Sequence, residues 1–138
     1  MAAAGTFTVK MTPQTWHEGS GGEGSVDHSL GRFMLEKQYH GDLEATSEGQ
    51  MLSAGDGSKG SSGVYVAIER VTGTLQGRKG TFFLYHTGIM NRGVPELTIS
   101  VSPDSGTGEL TGLSGAMTIK IENGQHSYEF SYTLATIQ

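Results

Sequence analysis

Two ionisable side chains sit in otherwise apolar surroundings. Glu69 lies inside YVAIERV and His86 inside TFFLYHTG, both within the stretch from Tyr65 to Gly88. A carboxylate and an imidazole within hydrogen-bonding reach form a general acid/base pair, able to take a proton from a small organic substrate or deliver one. Desolvation raises the carboxyl pKa, and an adjacent imidazolium lowers it again. The same two groups also make sense without chemistry, as a cross-strand hydrogen bond that satisfies both inside a core. The residues alone leave both readings open.

Whether the two meet depends on the turn between them. TGTLQGRKG, Thr72 to Gly80, is a polar, Gly-containing hairpin turn. With Gly77 and Arg78 at its tip, Glu69 lies opposite His86, Val71 opposite Leu84, Gly73 opposite Phe82 and Tyr65 opposite Met90. The two-residue pleat puts all of them on one face. The last hairpin carries Asn123-Gly124, which pairs Ile121 with His126, Ile119 with Tyr128 and Met117 with Phe130. An Arg92-Gly93 tip sets Leu97 beside Gly88, Ile99 beside His86 and Val101 beside Leu84.

The elements around these turns are strands. Apolar and polar residues alternate at period two, and Gly-rich breaks interrupt them. The pattern predicts strands over 5–12, 25–39, 41–54, 62–76, 79–91, 94–111 (bent at Pro103), 114–122 and 126–136. Residues 1–138 are expected to form one all-β domain, an eight-stranded antiparallel up-and-down barrel, because closure removes exposed sheet edges. The predicted interior comprises Phe7, Val9, Phe33, Leu35, Leu43, Tyr65, Val71, Leu84, Leu97, Ile99, Val101, Met117, Ile119, Tyr128, Phe130 and Tyr132, together with Glu69, His86 and His126. Glu44 and Glu48 then face solvent; a flipped third strand would bring Glu44 inside.

HEGSGGEGS, His17 to Ser25, reads as a connector, and AGDGSKGSSG, Ala54 to Gly63, as a loop or flap at a barrel mouth. Trp16 is expected to cap the barrel. TGTLQGRKG and TGELTGLSG share T-G-x-L-x-G-x-x-G. Neither is a phosphate loop, since no helix follows and the Lys-Ser/Thr is missing. PDSGTGEL, Pro103 to Leu110, reads as a bend with a bulge, or as a nest of backbone N–H groups for an anion.

Composition narrows the function. The chain has 138 residues, 22 Gly, no Cys and a net charge of −5. Absent cysteine removes disulfides, thiolate metal sites and a thiol nucleophile together. With no basic cluster, nucleic acid is not an expected partner. No apolar run approaches ~20 residues, so no membrane helix is expected. The first ten residues lack the pattern of a secretory signal, which points to a cytoplasmic protein. Histidines 17, 28, 40, 86 and 126 are scattered, so no metal or other cofactor is expected. Val64, Val66, Ile68, Phe83, Tyr85 and Ile89 point outward, and such a cluster suits a homo-oligomer. Arg70, expected opposite Tyr85, suits the same interface.

The runs YVAIERVTGTLQGRKGTFFLYHTG, VSPDSGTGELTGLSG and GQHSYEFSYTL, with YHGDLEATSEGQMLSAG upstream, resemble a bacterial family known as domain-of-unknown-function family 3224. The likeness runs from Gly5 to Leu134. It implies a calycin-type, allene oxide cyclase-like barrel of eight strands and self-association, and it implies no established activity.

Three functions follow from the residues. The first is a binding module that holds a small, largely apolar molecule inside the barrel. Tyr65, Tyr128, His126, Ile99 and Phe130 would line it, with Glu69, His86 and Tyr65 orienting the ligand. The second is a lyase, isomerase or cyclase using Glu69 and His86 as base and acid. The third is a homo-oligomeric structural protein with a fully packed barrel.

Overall fold

Alternating side chains make every long segment two-faced, and the faces decide the architecture. The computed structural model describes residues 1–15, 30–55 and 60–135. Its strands are β1 (Ala2–Pro13), β2 (Leu30–Gly41), β3 (Leu43–Ala54), β4 (Gly63–Leu75), β5 (Arg78–Asn91), β6 (Val94–Val101), β7 (Leu113–Glu122) and β8 (Gln125–Leu134). Each pairs antiparallel with the next, and β1 pairs with β8 to close the barrel. The expectations for Trp16 and residues 17–29, and for the centre of the 54–63 loop, lie outside the described residues.

Three hairpin tips explain the register. Arg92-Gly93 and Asn123-Gly124 both adopt positive φ, as a two-residue hairpin turn with matching twist requires. The pairs they set, Ile99 with His86 and Ile119 with Tyr128 among them, are those expected. The β4–β5 tip differs. Gln76 and Gly77 hold the positive φ values, 44° and 85°, so the tip lies one residue earlier than Gly77-Arg78. Val71 therefore faces Phe82, Glu69 faces Leu84, Ala67 faces His86 and Tyr65 faces Gly88. Moving the tip by one residue moves each partner by two, a full pleat period, so no side chain changes face. Arg70 consequently lies opposite Phe83, not Tyr85, and its guanidinium pairs with Glu48 across β3. Glu44 and Glu48 are exposed, as the unflipped third strand requires.

The sixth strand is shorter than expected. It ends at Val101, before Pro103, which has no N–H to continue a ladder. Residues 102–112 instead continue along β5 without a ladder. Ser102 N–H donates to the Phe83 carbonyl, Phe83 N–H donates to Ser105 Oγ, and Thr81 N–H donates to Thr107 Oγ1. A 3-10 turn at Gly108–Leu110 then pushes Leu110 into the barrel, where it is fully buried. Leu43, Leu75, Leu113 and Tyr132 pack with it and close that end.

Among the described residues, the opposite end is open. β6 pairs with β7 only through Ile99–Met117 and Ser100–Ala116. Beyond Ile99 the two strands part, and the inward-facing Leu97 is left 44% exposed. The expected core is otherwise buried or half-buried, from Phe7 through Tyr132.

Candidate functional site

Four strands supply one polar cluster inside the barrel. Along the inward face of β4, the residues from closed to open end are Leu75, Gly73, Val71, Glu69, Ala67 and Tyr65. Glu69 is therefore at mid-depth, and its side chain is 0% exposed. His86 reaches it diagonally from β5, with Nε2 2.7 Å from Oε2. A diagonal pair on one sheet face is still within reach of long side chains. The direct cross-strand pairing expected for these residues is absent, yet the contact forms.

Two further partners come from β2. Lys37 Nζ lies 2.7 Å from Glu69 Oε2, and Tyr39 OH donates to Oε1. Lys37 also stands 5.2 Å from the centroid of the Phe7 ring, a cation–π placement. Ser47, opposite Lys37 on β3, is buried beside the cluster. Sequence reasoning missed Lys37, Tyr39 and Ser47, although parity places them. Lys37 and Tyr39 follow Phe33 and Leu35 at steps of two, and Ser47 follows Leu43 and Ala45. A lysine between Leu35 and Tyr39 on an inward face is the signal that could have found the cluster.

The electrostatics follow from these contacts. Burial pushes the Glu69 carboxyl up, but the His86 hydrogen bond and the Lys37 charge outweigh it and hold it at about 2. Because Glu69 is ionised at neutral pH, His86 Nε2 must carry the proton it donates. Burial, reinforced by the Glu69 charge, raises the Tyr39 hydroxyl well above its ordinary value. The same two causes raise Tyr65. Glu69 is thus an anion clasped by three donors, strongly disposed to stay ionised and weakly disposed to take a proton.

The remaining sequence-predicted residues divide. Tyr65 is half-buried at the open end and lines a pocket of about 440 Å³ with Met51, Gly88, Met90, Pro95 and Leu97. Its ring lies across Gly88, where a Cβ would fall 2.0 Å from a ring carbon. Only glycine lets that ring lie flat against β5. Glu69 and His86 are not among the pocket's lining residues; they lie one layer deeper. Tyr128 spends its hydroxyl on the β2–β3 turn, accepting from Leu43 N–H at 2.9 Å and donating to the His40 carbonyl at 2.9 Å. Phe130 is sandwiched between Phe82 and Tyr132, and Ile99 is fully buried beside His86. His126 packs its ring on Phe7, 5.2 Å between centroids. Among the described residues, no group of three or more His, Asp or Glu is placed to hold a metal ion.

A family model described as "Protein of unknown function (DUF3224)" matches residues 3–132. The chain belongs to the DUF3224 family. A crystal structure of a DUF3224 protein of unknown function from Shewanella oneidensis MR-1 is 48% identical, covers 99% of this chain and 98% of its own, and superposes with a TM-score of 0.87. No curated protein matches. The DUF3224 barrel therefore stands on solved-structure likeness as well as on its own register, and its function has to be argued from the site.

Proposed function

We propose that this DUF3224 barrel is a binding module for a small, largely apolar organic molecule, held at the open end. One observation carries the reading. Among the described residues, a pocket of about 440 Å³ lies between the ends of β3, β4, β5 and β6, with inward-facing apolar side chains on its walls and Leu97 exposed where β6 leaves β7. That volume suits a ligand of modest size, and barrels of eight strands commonly leave room for one. Met51, Tyr65, Met90 and Leu97 supply the apolar walls. Tyr65, Ser53 and Glu96 supply polar groups on the lining that would orient a ligand there.

The acid/base reading of Glu69 and His86 has less support. Glu69 is ionised, triply hydrogen-bonded and sealed from the pocket. A base needs a free lone pair and a pKa near the working pH. The cluster is better read as the floor beneath the ligand, tying β2, β4 and β5 together.

The test is fluorescence titration with N-phenyl-1-naphthylamine, a neutral apolar probe. Saturable binding is expected. Leu97→Arg should weaken it at least tenfold with the far-ultraviolet circular dichroism unchanged. Thr118→Lys, on the polar outer wall of β7, should leave it unaltered. Absence of saturable binding, or equal binding by Leu97→Arg, would overturn the reading.

A further inference from the structure

The outside of the barrel is uneven. On β7, β8 and β1 the outward positions carry Ser, Thr, Lys, Glu and Gln with few exceptions, as in Ser114, Thr118, Lys120, Glu129 and Thr133. On β3, β4 and β5 the same outward positions carry Leu52, Val64, Val66, Ile68, Tyr85 and Ile89. Register makes these one surface. Leu52 adjoins Val66, Val64 adjoins Ile89, and Ile68 adjoins Tyr85. Phe83 continues the surface beside Arg70. Ile68, at its centre, is 63% exposed.

We propose that a second copy of this chain packs on the outer wall of β3, β4 and β5, making a twofold-symmetric dimer. Area is the first argument. At roughly 80 Å² apiece for half-exposed large side chains, the seven expose on the order of 600 Å² of apolar surface. That is at or above the largest patch an ordinary monomer leaves to water. With bordering Gln50, Thr87 and Thr98, the surface approaches the ~800 Å² per partner of a standard stable interface.

Self-compatibility is the second argument. A twofold interface places one patch against its own copy, so any charge at the centre meets a like charge. The central positions here carry none. At the edge, Arg70 and Glu48 neutralise each other, and Arg32 beside Leu52 is balanced in sign by Glu96 beside Ile89. A wall meant for a charged partner would show an unmatched excess of one sign, and this wall does not.

The wall and the proposed pocket share a border, since Val64 and Ile89 belong to both. Ile68 and Tyr85 lie outside the pocket's lining, so substitutions there test the dimer without touching the ligand site.

Sedimentation velocity at tens of micromolar should give twice the monomer mass. Ile68→Lys, or independently Tyr85→Lys, should shift the species to monomer with the fold retained by circular dichroism. Because the chain has no cysteine, Ile68→Cys offers a further readout, an oxidised disulfide-linked dimer that Thr118→Cys should not form. A monomeric native protein would overturn the proposal, even one captured by lipid vesicles or another protein. So would a dimer indifferent to both lysine variants, or one cross-linked through Thr118→Cys.

Discussion

The two ends of the barrel are built from the same alternating pattern and behave differently. At the closed end, Leu43, Leu75, Leu110, Leu113 and Tyr132 meet in a dry plug. At the open end, Met51, Tyr65, Met90 and Leu97 face inward around unfilled space. The difference lies in the connections. Residues 102–112 continue along β5 with their own hydrogen bonds and insert Leu110, whereas the described hairpin tips at the other end, Arg92-Gly93 and Asn123-Gly124, are two-residue turns that insert no side chain. A barrel pattern thus specifies the wall, and the loops decide whether its interior becomes core or cavity.

Between the ends stands the polar cluster, and breaking it should have the largest effect. Glu69→Gln leaves Lys37 buried without its anion. A loss of about 3–5 kcal/mol of stability is expected from chemical denaturation, because a lone buried charge is costly. If the cost is below ~1 kcal/mol, the cluster is not the floor described here.

The next contrast compares a leucine from each end. Leu110→Ala should cost about 3–4 kcal/mol, since it opens a cavity in the plug. Leu97→Ala, already partly in water, should cost less than ~1 kcal/mol. Equal costs would mean that the open end is as well packed as the closed one.

Acid titration gives an effect of similar or smaller size. Glu69 is held at about 2, against an ordinary value of 4.5. Its contribution is fully present above pH 4.5 and fades as pH falls toward 2, by about 3 kcal/mol at most. Between those pH values the native protein should therefore lose more stability than Glu69→Gln, by that difference. Parallel losses would contradict the depressed pKa.

Much of this was legible in the residues. Alternation and Gly-containing tips located eight strands, the inner face and the meeting of Glu69 with His86. Gln76 concealed the true β4–β5 tip, because nothing in its type announces a positive φ of 44°. Lys37 escaped because lysine on a strand ordinarily marks the solvent side, and only tertiary closure brings Glu69 to it. The Leu110 plug was invisible for a related reason. Its place depends on residues 102–112 staying bonded to β5 through Phe83 and Thr81, a long-range contact with no local signature. The pocket is likewise a product of how the ends of β3, β4, β5 and β6 come together, which no pattern of residue types encodes.

The central claim is that the open end holds an apolar ligand, and the methionines report on it directly. With methyl-labelled methionine, nuclear magnetic resonance can follow each ε-methyl during titration with N-phenyl-1-naphthylamine. Met51 and Met90 line the pocket, while Met117 is buried in the core and Met34 is exposed on the outer face of β2. Saturable shifts at Met51 and Met90, with Met34 still and Met117 little changed, are the predicted result. Shifts confined to Met34, or none at saturating probe, would contradict it.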